Sequence, residues 1–202
     1  MVHTNNRSAS DVLLELVRAF PRERISVQDL IDGLGDRSWG FALLLFGLLS
    51  AIAIIPGLAT LTAVPLLFFG MQMLIGYRTP WLPGFIAKRD LGRADLEKAI
   101  VAGKPIMQRI ERICRPRLTF LIGRSSERVL GLLVFVLAVI IALPGPFTNF
   151  PPGMAIVFMS IAIIERDGLM LLAGLVTSVI ALYLGWLVLA FFVTYALSLA
   201  GI

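Results

Sequence analysis

An all-α, polytopic membrane helix bundle of about six helices, with two proline-broken repeat segments, is the fold class this sequence predicts. Three observations predict it. The 202 residues are 58% hydrophobic and 15% charged, with mean hydropathy +0.89, whereas soluble domains run nearer 45–50% apolar and about 25% charged. The charges are also segregated: Arg37 to Arg78 encloses 40 uncharged residues, Arg128 to Glu165 encloses 36, and 35 more follow Asp167. A spanning helix needs about 20 apolar residues, so each block holds two helices. Finally, Pro56-Gly57 and Pro144-Gly145 interrupt the first two blocks.

In chain order, residues 1–9 are polar, and Ser8-Ala-Ser-Asp11 leads into Val12, Leu13, Leu14, Leu16, Val17 and Phe20. That apolar period is helical and ends before Pro21. A second short helix starts at Ser26, where Ser26-Val-Gln-Asp29 sets a capping hydroxyl three residues before a carboxylate. Both read as cytosolic helices, so 1–37 forms one unit and 38–202 a membrane unit. Residues 1–37 mix five basic with six acidic residues and lack the continuous apolar run of a signal peptide.

The first block reads as a helix over 39–55, a Pro56-Gly57 break, and a second helix opened by Pro65, whose missing N–H is not needed there. Residues 78–128 hold twelve of the eighteen basic residues against five acids. Within them, 93–114 reads as a basic amphipathic helix bent near Gly103 and Pro105. It lies on the membrane surface or packs on the protein's own cytosolic face. The second block gives helices over 129–143 and 154–164, separated by 144–153. The last block gives two helices turning at Tyr183-Leu-Gly185-Trp186, an aromatic interface anchor.

The proline-broken blocks match at an offset of 88: Pro56-Gly57 on Pro144-Gly145, Pro65 within one residue of Pro152, and Arg78 on Arg166. The membrane unit thus divides into a first repeat (38–78), a basic segment (79–128), a second repeat (129–166) and a C-terminal hairpin (168–202). Gly/Pro-interrupted segments in two halves point to a transporter's central site. Cytosolic loops carry the excess Lys and Arg, so 78–128 belongs inside, and paired helices place both termini there as well. The broken segments are either full hairpins or re-entrant.

Catalysis is not expected. Cys114 and His3 are the lone cysteine and histidine, so no intramolecular disulfide, thiolate cluster, Ser-His pair or HExxH exists, and neither metal nor cofactor is expected. Asp90, Asp95 and Glu97 sit on an ordinary amphipathic helix. The apolar blocks argue against a nucleic-acid partner, despite a pI near 10.0.

Several segments carry a family resemblance. Gly35-Asp-Arg37-Ser-Trp-Gly40 leads into an apolar helix, and Gln72-Met-Leu-Ile-Gly76-Tyr-Arg78-Thr-Pro-Trp-Leu-Pro83 ends the first block. Arg115-Pro-Arg117 precedes the second, followed by Leu143-Pro-Gly-Pro146-Phe-Thr-Asn149-Phe-Pro-Pro152 and Arg166-Asp-Gly168. From roughly residue 10 to 190 this resembles the ExoD family of bacterial multi-pass membrane proteins. The resemblance implies an inner-membrane location and a link to exopolysaccharide production, without supplying a reaction.

The residues suggest an anion transporter. Helix N-termini at the broken segments favour negative charge, Thr60, Thr62, Thr148 and Asn149 add donors beside them, and Pro65 and Pro152 shape the breaks. Arg78 and Arg166 attract the anion to the mouth. Gln72, an amide inside an apolar helix, must face another helix or a cavity. The alternative is an accessory or regulatory subunit of the polysaccharide machinery. A polar cavity between the broken segments favours transport, and a dry bundle favours the accessory role. The expected partners are membrane lipids, a small anion and a second copy of the chain as a homodimer.

Overall fold

Ser26 starts a helix as its spacing to Asp29 predicts. Its hydroxyl accepts the Asp29 N–H at 3.1 Å, and the Asp29 carboxylate accepts the Ser26 N–H at 3.2 Å, a reciprocal capping box. The computed structural model describes residues 14–15, 17–19, 24–52, 58–88, 90–145 and 148–199. Its elements run β1 (Arg24–Ser26), α1 (Val27–Leu34), α2 (Ser38–Ile52), α3 (Leu58–Ile75), α4 (Gly84–Ala87) and β2 (Asp90–Gly92). Then follow α5 (Arg93–Ile113), α6 (Arg124–Ala142), α7 (Phe150–Glu165) and α8 (Gly168–Leu199). Residues 14–15 and 17–19 are helical, where the apolar period predicts it. Among the described residues the strands form one antiparallel ribbon, in which Ile25 pairs with Leu91.

The apolar helices pair across the two blocks. Gly40 meets Ile164 while Gly47 meets Ile156, so α2 lies antiparallel to α7; Gly70 meets Phe135 and Gly131 meets Leu74, so α3 lies antiparallel to α6. These contacts are backbone-close. A Cβ on Gly70 would lie 2.6 Å from the Phe135 nitrogen, and one on Gly131 would lie 2.6 Å from the Leu74 nitrogen. Small residues permit such close backbone approach between helices. Between the pairs lie Trp39, Leu43, Leu66, Met73, Val134, Leu137, Ile156 and Met159, all buried. The outer faces are apolar too, with Leu45, Leu49, Phe68, Leu132, Val176 and Val179 exposed.

Three expectations are corrected. Pro65 does not open a helix: it lies inside α3, which begins at Leu58. The extra turns carry Thr62 and Ala63 into the core, and that burial offsets the backbone hydrogen bond that proline removes. Pro152 lies instead in the first turn of α7, which starts at Phe150 rather than 154 because early prolines lack only N–H groups a helix start leaves unpaired. Pro65 and Pro152 therefore do not occupy matching positions. Pro56 and Gly57 lie outside the described residues.

The C-terminal block forms one helix rather than a hairpin. No proline or charge interrupts 168–199, and α8 runs for 32 residues, about 48 Å. Gly185, read as a turn, is a packing residue: a Cβ there would meet Ile140 at 2.9 Å. Beginning beside Leu118, α8 passes Met159 with Gly174, and Val188 reaches Gly145. Its last turns thus lie at the opposite end of the bundle from Arg166. Residues Gly168–Ser198 are long and apolar enough to cross a membrane, while Leu61–Ile75 and Phe150–Glu165 are apolar but shorter.

The basic amphipathic segment is a single helix, α5, with Pro105 inside it. Ile110, near its C-terminus, packs with Leu44 and Met170 against Cys114, Val157 and Ile161. That end of α5 is seated on the protein.

Candidate functional site

The predicted site residues divide between the two ends of the bundle. Thr62 and Ser50 meet at the turn end, where the Ser50 hydroxyl donates to Thr62 Oγ1 at 2.7 Å, both side chains buried. Thr148 is buried and its hydroxyl lies 2.8 Å from the Gly145 carbonyl and 3.0 Å from that of Leu143, closing the 143–149 turn. Asn149 precedes α7 without capping it by its side chain, and Pro152 is buried. The Thr60 side chain lies outside the described residues. These groups hold helices and turns together, as buried polar groups must find partners.

Gln72 sits near the other end of α3. Its amide is occupied at both atoms by the backbone of Trp81, at 3.1 and 2.7 Å. Beyond it the chain turns through Gly76, at φ 96°, a conformation that costs glycine little. The Arg128 guanidinium crosses this glycine, so that a Cβ would lie 3.0 Å from its nearest nitrogen.

Here the structure opens a cavity of about 380 Å³. Asp36 and Trp39 line it from the start of α2; Met73, Gly76, Tyr77 and Arg78 line it from the end of α3. Ile122, Gly123, Glu127 and Arg128 close it from the start of α6, and Arg166 from the end of α7. Arg166 reaches Asp36 at 3.5 Å, and the Trp39 indole N–H donates to the Tyr77 carbonyl at 3.2 Å. Three arginines and two carboxylates thus share one opening. Arg78 and Arg166, expected as a pair, do converge. The threonines stand at the far end, about 20 Å away along the thirteen helical steps from Thr62 to Ile75.

Sequence reasoning missed Arg128, Asp36 and Glu127. The available signal was the acid–arginine pair, Asp36-Arg37 and Glu127-Arg128, standing three residues before Gly40 and Gly131.

A polar clasp flanks the cavity. Asp167 is buried; its carboxylate accepts the N–H of Arg115 at 3.0 Å and, capping α8, that of Leu169 at 2.9 Å. Gly168 N–H donates to the Arg117 carbonyl at 2.8 Å. Beside this clasp, burial, followed by the charges of Asp167 and Glu165, pushes the Cys114 thiol from 9.0 to about 11.

The segments joined here are those that carry the resemblance: Asp36 to Gly40, Gln72 to Trp81, Arg115 to Arg117 and Arg166 to Gly168. Comparison with known families matches residues 9–187 to the family described as "Exopolysaccharide synthesis, ExoD". This chain belongs to the ExoD family. It is 30% identical over 175 residues to Protein ExoD of Rhizobium meliloti (strain 1021), covering 84% of this chain and 72% of that one. It is 29% identical over 147 residues to an uncharacterised protein of Synechocystis sp., covering 72% and 69% respectively. No solved structure matches. Family membership links the chain to exopolysaccharide synthesis and names no catalytic step.

Proposed function

We propose that this ExoD-family chain is a non-catalytic, multi-pass inner-membrane component of exopolysaccharide synthesis that binds an anionic group in the arginine-lined cavity. The observation that carries the reading is the convergence of Arg78, Arg128 and Arg166, from three different helix ends, on one opening. Guanidinium forks match phosphate and carboxylate oxygens two at a time, which makes arginine the residue type suited to such ligands.

The membrane arrangement is part of this proposal. The cavity end carries the basic segment 78–128 and lies in the cytosol. Helices α2, α3, α6, α7 and α8 cross, and the continuous α8 carries the C-terminus to the other side. An internal repeat supports the core. With α2 set on α6 at an offset of 91 and α3 on α7 at 90, Trp39 and Leu130, Leu43 and Val134, Leu66 and Ile156, and Met73 and Ile163 are buried in pairs. Gly76 and Arg166 both take left-handed backbone, and Tyr77 and Asp167 donate back to the Gln72 and Ala162 carbonyls. The sequence offset of 88 gives way to this register, in which the two halves run in the same direction.

The side chains beneath the cavity, from Trp39 to Ala63, form a buried apolar cluster, which supports an accessory role over conduction. Transport is the second reading, favoured by the cavity's position between the two halves. Titration of inorganic phosphate into protein in nanodiscs, beside phosphate and chloride flux in liposomes, separates them. Binding without flux above protein-free vesicles is expected. Flux that falls in Arg166→Gln makes the protein a transporter, and absence of any anion binding refutes both readings.

A further inference from the structure

We infer that the segment Arg115–Phe120 docks on anionic phospholipid of the cytosolic leaflet, with Phe120 among the acyl chains and Arg115 and Arg117 on lipid phosphates. This rests on the membrane arrangement proposed above and is independent of the anion cavity. The first ground is charge. Residues 112–124 contain four arginines and no acidic residue. Arg115 and Arg117 are exposed, and neither lines the cavity.

The second ground is depth. The Asp167 carboxylate accepts the Arg115 N–H, and the Gly168 N–H donates to the Arg117 carbonyl. A Cβ on Gly168 would lie 2.6 Å from that of Leu118. These contacts bolt the segment to the first residues of α8, where, in the proposed arrangement, headgroups give way to hydrocarbon. The third ground is exposure. Leu121 and Ile122 pack inward on the core, whereas Phe120 beside them is 77% exposed. Leu118 is held at φ 51°, uncommon for a residue with a side chain, and is exposed as well. Tyr77 and Trp81 are exposed at the same end of the bundle. Aromatic rings favour the membrane–water interface, and basic clusters just cytosolic of a spanning helix bind anionic lipid. An anionic leaflet satisfies both preferences at once.

Nitroxide labels at Phe120→Cys and Val179→Cys test the placement, each in a Cys114→Ser full chain in vesicles of phosphatidylcholine and phosphatidylglycerol. Val179 is exposed on α8 and reports whether that helix lies in lipid. Oxygen is expected to relax both labels more than a water-soluble nickel chelate does. A label in water at 120 beside one in lipid at 179 overturns the inference and leaves the membrane arrangement standing. Water at both positions removes the arrangement, and the inference with it. Spin-labelled lipids on otherwise unlabelled protein then read the arginines. Phosphatidylglycerol should be preferred over phosphatidylcholine, and Arg115→Gln with Arg117→Gln should lower that preference at least about threefold. Lys88→Gln with Lys98→Gln, exposed in the same basic segment, should leave it within about 1.5-fold. Equal falls in the two pairs, or no fall in the first, overturn the inference.

Discussion

The amide of Gln72 holds both backbone groups of Trp81: Nε2 donates to its carbonyl at 3.1 Å, and Oε1 accepts its N–H at 2.7 Å. A side chain thereby does what a strand partner would do, fixing the segment that leaves α3 at one point. Gln72 is buried, so truncation strands two backbone groups at the bundle's edge. Gln72→Ala is expected to destabilise the protein by about 1–3 kcal/mol, read as a lower unfolding temperature in detergent. Gln72→Glu keeps the acceptor and loses the donor, and should fall between.

The glycine crossings of α3 and α6 yield the next expectation. A methyl on Gly131 meets the backbone nitrogen of Leu74 and Cβ of Met73, both at 2.6 Å, and neither is the movable tip of a flexible side chain. Gly131→Ala should cost about 1–3 kcal/mol through forced separation of the helices. By contrast, Gly103→Ala, where nothing lies within 4 Å, should be neutral or stabilising, since alanine favours helix. Equal effects at the two sites in thermal unfolding would contradict the packing.

Cys114 offers a chemical check. Its thiol, buried and pushed up to about 11, stays protonated through neutral and mildly alkaline pH. Only the thiolate alkylates, so native protein at pH 8 should react roughly a hundredfold more slowly than the unfolded chain. The rate should climb about tenfold per pH unit until the folded pKa is reached. Mass spectrometry of iodoacetamide-treated protein follows this directly, and rapid labelling at pH 7 would show the site to be open.

The proposed membrane arrangement is tested along α8. In a Cys114→Ser background, a cysteine at residue 95 is expected to react only from the cytosolic side. One at residue 197, near the far end of α8, should react only from the other side or remain lipid-shielded. Cytosolic labelling at both positions would require the hairpin that the continuous helix replaces.

Much of the helical framework was legible because its signals are local. Uncharged runs, the Ser26–Asp29 spacing and the apolar period before Pro21 each depend on neighbours within a turn or two. Pro65 and Gly185 misled for one shared reason. Both are helix-disfavouring by local preference, and both are overridden by partners distant in sequence: Ser50 and the core for the stretch around Pro65, Ile140 for Gly185. The β1–β2 ribbon was equally hidden, since the three residues Arg24–Ser26 acquire strand character only by pairing with Asp90–Gly92. At the cavity, Arg78 and Arg166 were found from their place at helix ends. Arg128 was not, because it starts a helix, and only the crossing of α3 with α6 lays it over Gly76.

The length of α8 carries a consequence for the lipid itself. Its 32 uncharged residues rise about 48 Å, against a hydrocarbon thickness of about 30 Å. The stretch beyond Val188, including the exposed rings of Phe191, Phe192 and Tyr195, overshoots the short helices beside it. Hydrophobic mismatch of this sign is relieved by leaning or by local thickening of the bilayer, at fractions of a kcal/mol per Å. In the proposed membrane arrangement α8 therefore leans while its short neighbours stand, and lengthening the acyl chains of the host lipid should reduce its tilt.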